Sequence, residues 1–155
     1  MMNLFLLRHG NASSAGPGQQ PSLTPKGRKE VTLVAQYLLK KKISLTHIWH
    51  SPKVRAFQSA EIFRQIQGTP SLPMEEIKGL EPEGDAGRTA GLIRAAKAAS
   101  LLVVSHLPVI VDLAYQFTDP SVNPNIAFPT AGLAAFEGQG ENWKWLWSLD
   151  PSTLK

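Results

Sequence analysis

Cysteine is missing from all 155 residues, which excludes disulfide cross-links, thiolate nucleophiles and cysteine-based metal sites. Long apolar runs are missing too. Nothing approaches the about 20 consecutive residues that a membrane-crossing helix needs. The first apolar stretch, Leu4 to Leu7, is too short for a signal-peptide core and runs straight into Arg8 and His9, so no membrane partner is expected and the cytoplasm is the default compartment. Acidic residues are outnumbered, 12 against 16 basic ones, for a net charge of +4. That surplus suits an anionic partner, but the basic residues are scattered. Their densest run, Lys40-Lys41-Lys42, falls at an expected helix end, where cations complement the dipole. With no basic–aromatic interleaving and no known binding module, nucleic acid is not an expected partner. A clustered metal site is also missing. His47 and His50 form an H-x-x-H pair, but on a strand they face opposite sides and no carboxylate neighbours them. Neither a metal nor any other cofactor is expected.

What is present suits one well-cored soluble domain spanning residues 1–155, with 43% hydrophobic and 18% charged residues. Asn3 to Leu7 reads as a buried strand, and Gly10 to Ser22, rich in Gly, Pro, Ser and Gln, as a surface loop. Thr24-Pro25 gives an N-cap followed by proline, and Val31, Val34, Ala35 and Leu38 supply one helical face up to about Lys41. Thr46 to His50 reads as a second strand, and Ser51-Pro52 repeats the cap-plus-proline signal before a helix that runs to about Gln67. A short strand is expected within Ser71 to Ile77, a loop from Gly79 to Asp85, and a helix from about Ala86 to Ala99. Leu101 to Ser105, apolar almost throughout, is the clearest buried strand. Pro108 opens another helix, and a loop from Asp119 to Pro129 follows. Gly132 to Glu137 and Trp143 to Leu149 then form a hairpin around Gly138-Gln139-Gly140. Trp143, Trp145 and Trp147 recur with period two and are expected to line one covered strand face. The order implies a single three-layer α/β domain: a mostly parallel central sheet, helices on both faces, and a C-terminal antiparallel hairpin.

Three short motifs share one address in that plan. Arg8-His9-Gly10 follows the first strand, Ser51-Pro52 with Arg55 follows the second, and Ser105-His106 closes the strand Leu101 to Ser105. Open α/β sheets gather ligands at the carboxyl ends of their strands, so two arginines and two histidines should meet in one crevice. Guanidinium forks and an imidazolium suit a phosphoryl dianion, and helix N-termini after Ser51 and His106 would add backbone donors. His9 can do more than bind. A neutral imidazole attacks phosphorus well and later leaves well, which splits one hard displacement into two easier ones. Asn11 lies within reach of such a site but reads first as a turn residue.

Leu7-Arg8-His9-Gly10 resembles the RHG signature of the histidine phosphatase (phosphoglycerate mutase-like) superfamily. Ser51-Pro52-x-x-Arg55-Ala56-x-Gln58-Ser59-Ala60 resembles its second motif, and Val104-Ser105-His106 its third. Within the superfamily, the length, Leu23-Thr24-x-x-Gly27, Pro82-x-Gly84-Asp85 and Ser105-His106-Leu107-Pro108 are most similar to the small phosphohistidine phosphatases of the SixA type. The resemblance implies a phosphoglycerate mutase-like fold and a phosphatase. His9 would be the phosphorylated nucleophile, His106 its catalytic partner, and Arg8 and Arg55 the phosphate ligands. It also implies a phosphorylated protein as partner, carrying phosphohistidine on a histidine-phosphotransfer domain or similar carrier, and a monomeric enzyme. Only 50 residues separate Arg55 from His106, which leaves little chain for the cap that larger relatives build over the phosphate. Those relatives also carry a glutamate acid/base after the third strand. Gly79 falls near that position here, with Glu81 the better and Glu83 the lesser candidate. Two other functions fit the motifs less well: a small-molecule phosphomonoesterase or mutase of the same superfamily, and a non-catalytic phosphate-binding module.

Overall fold

The computed structural model describes residues 1–122 and 125–154. The chain begins with β1 (Met2–Arg8), followed by β2 (Ala12–Ser13), β3 (Ser22–Leu23) and α1 (Pro25–Lys40). It continues through β4 (His47–His50), α2 (Val54–Gln67), β5 (Met74–Glu76), α3 (Ala86–Ala95), β6 (Ser100–Ser105) and α4 (Val109–Tyr115). The hairpin β7 (Leu133–Gln139) and β8 (Asn142–Leu149) and a 3₁₀ turn, Pro151–Thr153, complete it. The main sheet has the order β5-β4-β6-β1-β7-β8. Its β5–β4, β4–β6 and β6–β1 pairings are parallel, whereas β1–β7 and β7–β8 are antiparallel. This is the expected α/β domain with a mostly parallel sheet and a terminal hairpin.

Alternation along the central strands divides the core in two. Phe5, Leu7, Leu102 and Val104 pack on one face with Val31, Val34 and Leu38 of α1 and Phe63 of α2. Leu4, Leu6, Leu101 and Val103 pack on the other with Ile93 of α3 and Leu113 of α4. Every residue of β6 is buried, as its unbroken apolar run requires. The Thr24 side chain accepts the Gly27 N–H and caps α1, with Pro25 in the first turn.

Four local expectations need correction. The loop Gly10 to Ser22 contains β2, which pairs with β3 as a separate ribbon of two residues per strand, too short for any periodicity to betray. Helix α2 starts at Val54 and not beside Ser51-Pro52: the Ser51 hydroxyl accepts only the Lys53 N–H, and Gln20 Oε1 accepts the Val54 N–H. Helix α3 ends at Ala95; Ala96 is extended, and by Ala99 the backbone already pairs with Asn3 on its way into β6. The tryptophans do not share a face. A bulge shifts the β7–β8 register so that Ala135 faces Trp147 but Phe136 faces Trp145. Trp143 therefore packs against Phe117 on one side of the sheet, and Trp147 against Phe5 and Tyr37 on the other. Trp145 is exposed. The expected loop Asp119 to Pro129 is described except at 123 and 124.

Candidate active site

The parallel register brings three strand ends to one rim. Arg8 stands opposite Ser105 and His50 opposite Val104, so the residues that follow, His9, Ser51 and His106, line a single edge. Backbone bonds hold them there: His9 N–H donates to Ser105 O (3.0 Å) and Ser51 N–H to Val104 O (3.1 Å). The His9 and His106 rings lie 4.8 Å apart, and Arg55 in the first turn of α2 reaches His9. Arg8 is at the same edge, with Nη1 donating to Phe128 O (3.0 Å) and a buried Nε that has no partner among the described residues.

The tautomer of His9 follows from its neighbours. Nδ1 lies 2.7 Å from the Gly10 carbonyl, which can only accept, so Nδ1 carries the hydrogen. Nε2 is left with its lone pair, and the Arg55 Nε–H points at it from 3.4 Å. Burial lowers the His9 pKa to about 4, partly opposed by the Gly10 bond and reinforced by the Arg55 and Arg8 charges. Burial also lowers His106, to about 3, with His9, Arg55, Lys53 and Arg8 adding to the effect. Both imidazoles are therefore neutral in the free protein at pH 7. The imidazolium counted from sequence is not available before a ligand arrives, and the fixed positive charge is that of Arg8 and Arg55. Burial lowers those two from the usual arginine value, but guanidinium stays protonated at any ordinary pH.

Residues that received no role from sequence build the support. Gly10 N–H donates to Ser59 Oγ (3.1 Å), and that hydroxyl donates to Arg55 O (2.8 Å). Gln58 Oε1 accepts the Leu23 N–H at 2.8 Å. The second motif thus supplies Arg55 to the site and uses Gln58 and Ser59 to pin the segments around the first. Asn11 behaves as a turn residue, its Oδ1 accepting the Thr24 hydroxyl at 2.7 Å. His106 Nε2 meets Ser51 Oγ at 2.7 Å. The helix-terminal donors expected for the anion are largely spent: Lys53 N–H goes to Ser51 Oγ, Val54 N–H to Gln20 Oε1 and Val109 N–H to Pro82 O.

Glu81 lies where a groove of about 490 Å³ opens beside Arg55, lined also by Lys53, Gln20 and Glu83. Its Oε1 accepts the Gly79 N–H at 2.6 Å. That bond, a second from its own backbone and the charges of Lys53 and Lys78 hold its carboxyl below the usual range against a smaller opposing effect of burial. Glu81 is thus ionised in the free protein, ready to accept a proton and not to donate one. Among the described residues no group of three or more His, Asp or Glu side chains is arranged to hold a metal ion, and no helix is long and apolar enough to cross a membrane.

Comparison with known proteins decides the family. The family model of the histidine phosphatase superfamily (branch 1) matches residues 4–99, which hold Arg8, His9 and Arg55. The chain belongs to the histidine phosphatase superfamily. Phosphohistidine phosphatase SixA of Escherichia coli (strain K12) is 31% identical over 160 aligned residues, covering 99% of this chain and 97% of that protein. The structure of the protein histidine phosphatase SixA complexed with tungstate superposes with a TM-score of 0.89 at 29% identity, covering 98% of this chain and 99% of the other. A SixA-like structure from Agrobacterium tumefaciens shares the fold, with a TM-score of 0.79 at 22% identity and coverage of 97% and 99%. Membership makes the protein a phosphatase.

Proposed function

We propose that the protein is a phosphohistidine phosphatase that removes the phosphoryl group from a histidine on a protein, a histidine-phosphotransfer domain or similar carrier, through a phospho-His9 intermediate. The observation that carries this reading is the neutral His9 ring, fixed by Gly10, with the Arg55 Nε–H at its Nε2 lone pair and the His106 ring 4.8 Å away. Nε2 attacks phosphorus as the substrate's P–N bond breaks, and the departing imidazole takes up a proton from solvent. Water then attacks the phosphorus on His9, releasing inorganic phosphate and restoring the neutral ring. Arg8 and Arg55 neutralise the phosphoryl oxygens throughout, since positioning and charge dominate catalysis of phosphoryl transfer. Glu81, ionised and lining the same groove as Arg55, would take a proton from that water and pass it to solvent. The reaction as drawn uses no metal and no cofactor, and one copy of the chain holds every group it needs. A monomer working in the cytoplasm is the corresponding picture.

Substrate size follows from the chain between Arg55 and His106. It holds only the rest of α2, then β5, α3 and β6, so we read the site as uncapped. Such a site cannot surround a small ester and gains little from groups remote from phosphorus, whereas a protein substrate supplies that binding energy around the mouth. The test is hydrolysis of a phosphorylated histidine-phosphotransfer domain against p-nitrophenyl phosphate, with free phosphohistidine as control for the weaker N–P bond. A preference of at least about 100-fold in kcat/KM for the protein is expected, equal to about 2.7 kcal/mol of differential transition-state binding. A sugar phosphate or nucleotide that outperformed both would replace this reading with a small-molecule phosphomonoesterase.

A further inference from the structure

His106 has two ring nitrogens, and only one has a partner. Nε2 lies 2.7 Å from Ser51 Oγ, while Nδ1 is buried with no hydrogen-bond partner among the described residues. Both residues are closed to water, Ser51 at 0% and His106 at 1% exposure, so each hydrogen has to be placed within the protein. Ser51 Oγ already accepts the Lys53 N–H at 3.1 Å. Among the described residues its single hydroxyl hydrogen has one acceptor, His106 Nε2. If Nε2 carried the ring hydrogen instead, Ser51 would accept twice, and its own hydrogen and the Nδ1 lone pair would both be buried without partners. With the hydroxyl donating, only one group is unsatisfied, the Nδ1–H. Buried polar groups are seldom left unpaired without a reason.

We infer that Ser51 is a positioning residue that presets His106 as a neutral Nδ1–H donor, held for an oxygen of the phosphoryl group. This rests on the reading of the crevice as the phosphoryl site, and it adds how that site acquires a donor although His106 is uncharged. The alternative tautomer would present a lone pair to an anion. The charges that act on His106 are those of His9, Arg55, Lys53 and Arg8, and its one hydrogen-bond partner among the described residues is the Ser51 hydroxyl and not a carboxylate. The carboxylate–histidine pairing common in other active sites is here replaced by a hydroxyl, which can orient the ring without drawing a proton onto it.

The experiment has two parts, neither of which needs turnover. Long-range ¹H–¹⁵N correlation spectra of the free protein at pH 7 distinguish the His106 tautomers, and orthovanadate titration measures oxyanion affinity. The unmodified protein should show Nδ1–H at His106. Ser51→Ala should shift His106 to the other tautomer or a mixture and weaken vanadate about tenfold, the loss expected for one hydrogen bond to a charged group. Ser51→Thr, which keeps the hydroxyl, should restore both. An Nε2–H tautomer in the unmodified protein overturns the inference by itself, even if Ser51→Ala does not fold. So does a folded Ser51→Ala protein that binds vanadate within twofold of the original. If both parts succeed but phosphohistidine is not hydrolysed, the positioning role stands and the proposed substrate falls.

Discussion

Gly27 and Gly91 both sit inside helices, and alanine should act on them with opposite sign. Neither has a positive φ, so alanine can adopt the backbone at each. Helix propensity alone favours the replacement by about 0.5–1 kcal/mol, chiefly by restricting the unfolded chain. At Gly91 of α3 nothing lies within 4 Å of the added Cβ, so the gain should be realised as a Tm higher by about 2–3 °C. At Gly27 of α1 the same Cβ would lie 2.1 Å from Asn11 O and 2.9 Å from Asn11 N. Those are backbone atoms, which cannot rotate aside, so the segment after His9 must retreat by about 1 Å. Overpacking of this kind costs up to about 3 kcal/mol. Against a propensity gain of about 1, the net loss is about 2 kcal/mol, or a Tm about 4–8 °C lower. The moving segment begins at Gly10, whose carbonyl fixes the His9 tautomer. A displacement near 1 Å at reacting groups can cost about 100-fold in rate. Thermal unfolding and hydrolysis of free phosphohistidine by both variants provide the assay. A Gly27→Ala protein as stable and as active as the original would refute the close-approach argument, and a destabilised Gly91→Ala would show that the open face of α3 is misread.

Three further outcomes can be checked directly. His9→Ala should abolish turnover yet retain part of the vanadate affinity, because Arg8 and Arg55 remain; near-normal turnover would end the covalent mechanism. Activity should persist in excess EDTA, since all the charge stabilisation invoked comes from side chains; an enzyme silenced by chelation and revived by one divalent ion would require another chemistry. Stability should fall on acidification. The unfolded imidazole pKa is about 6.5, and the folded values for His9 and His106 are about 4 and about 3. The unfolded chain therefore binds more protons between these limits, and the stability present above about pH 6.5 is lost progressively toward pH 3. Denaturant midpoints measured from pH 7 to 4 should drop less steeply for His9→Ala than for the unmodified protein; parallel curves would contradict the burial of His9.

The part of the site legible in sequence is the part set by strand ends. Leu4 to Leu7 and Leu101 to Val104 can only be buried strands, and residues directly after parallel strands must meet at one edge. Arg8, His9 and His106 were therefore placed together by topology alone. Arg55 came with them as a residue of the first helical turn after the second strand. What stayed hidden depends on partners distant in sequence. Ser51-Pro52 has the local look of a helix start, but the hydroxyl also meets His106, 55 positions away, and the first N–H of α2 is accepted by Gln20. The tryptophan stripe has the period of a flat strand, yet the bulge opposite Ala135 and Phe136 is a property of the pair β7–β8 and not of either strand. Glu81 was singled out for lying close to where larger relatives carry a glutamate, but the bond from the Gly79 N–H that favours its ionised form was not visible in sequence.

Neutral histidines and permanent guanidiniums explain each other at this site. A nucleophilic imidazole has to be unprotonated, and burying it beside Arg8 and Arg55 secures that. The same burial would strip a lysine or histidine of the charge needed to hold a phosphoryl dianion, because desolvation favours the neutral form of any base that can lose its proton. Guanidinium is the side chain whose basicity survives this environment. In the proposed reaction two arginines can therefore supply the positive charge without forfeiting it to the burial that keeps His9 neutral. Substituting Lys at Arg55 would lose the Nε–H directed at His9 as well as the planar fork. The division of labour, charge on arginine and lone pair on histidine, follows from burial before any substrate is considered.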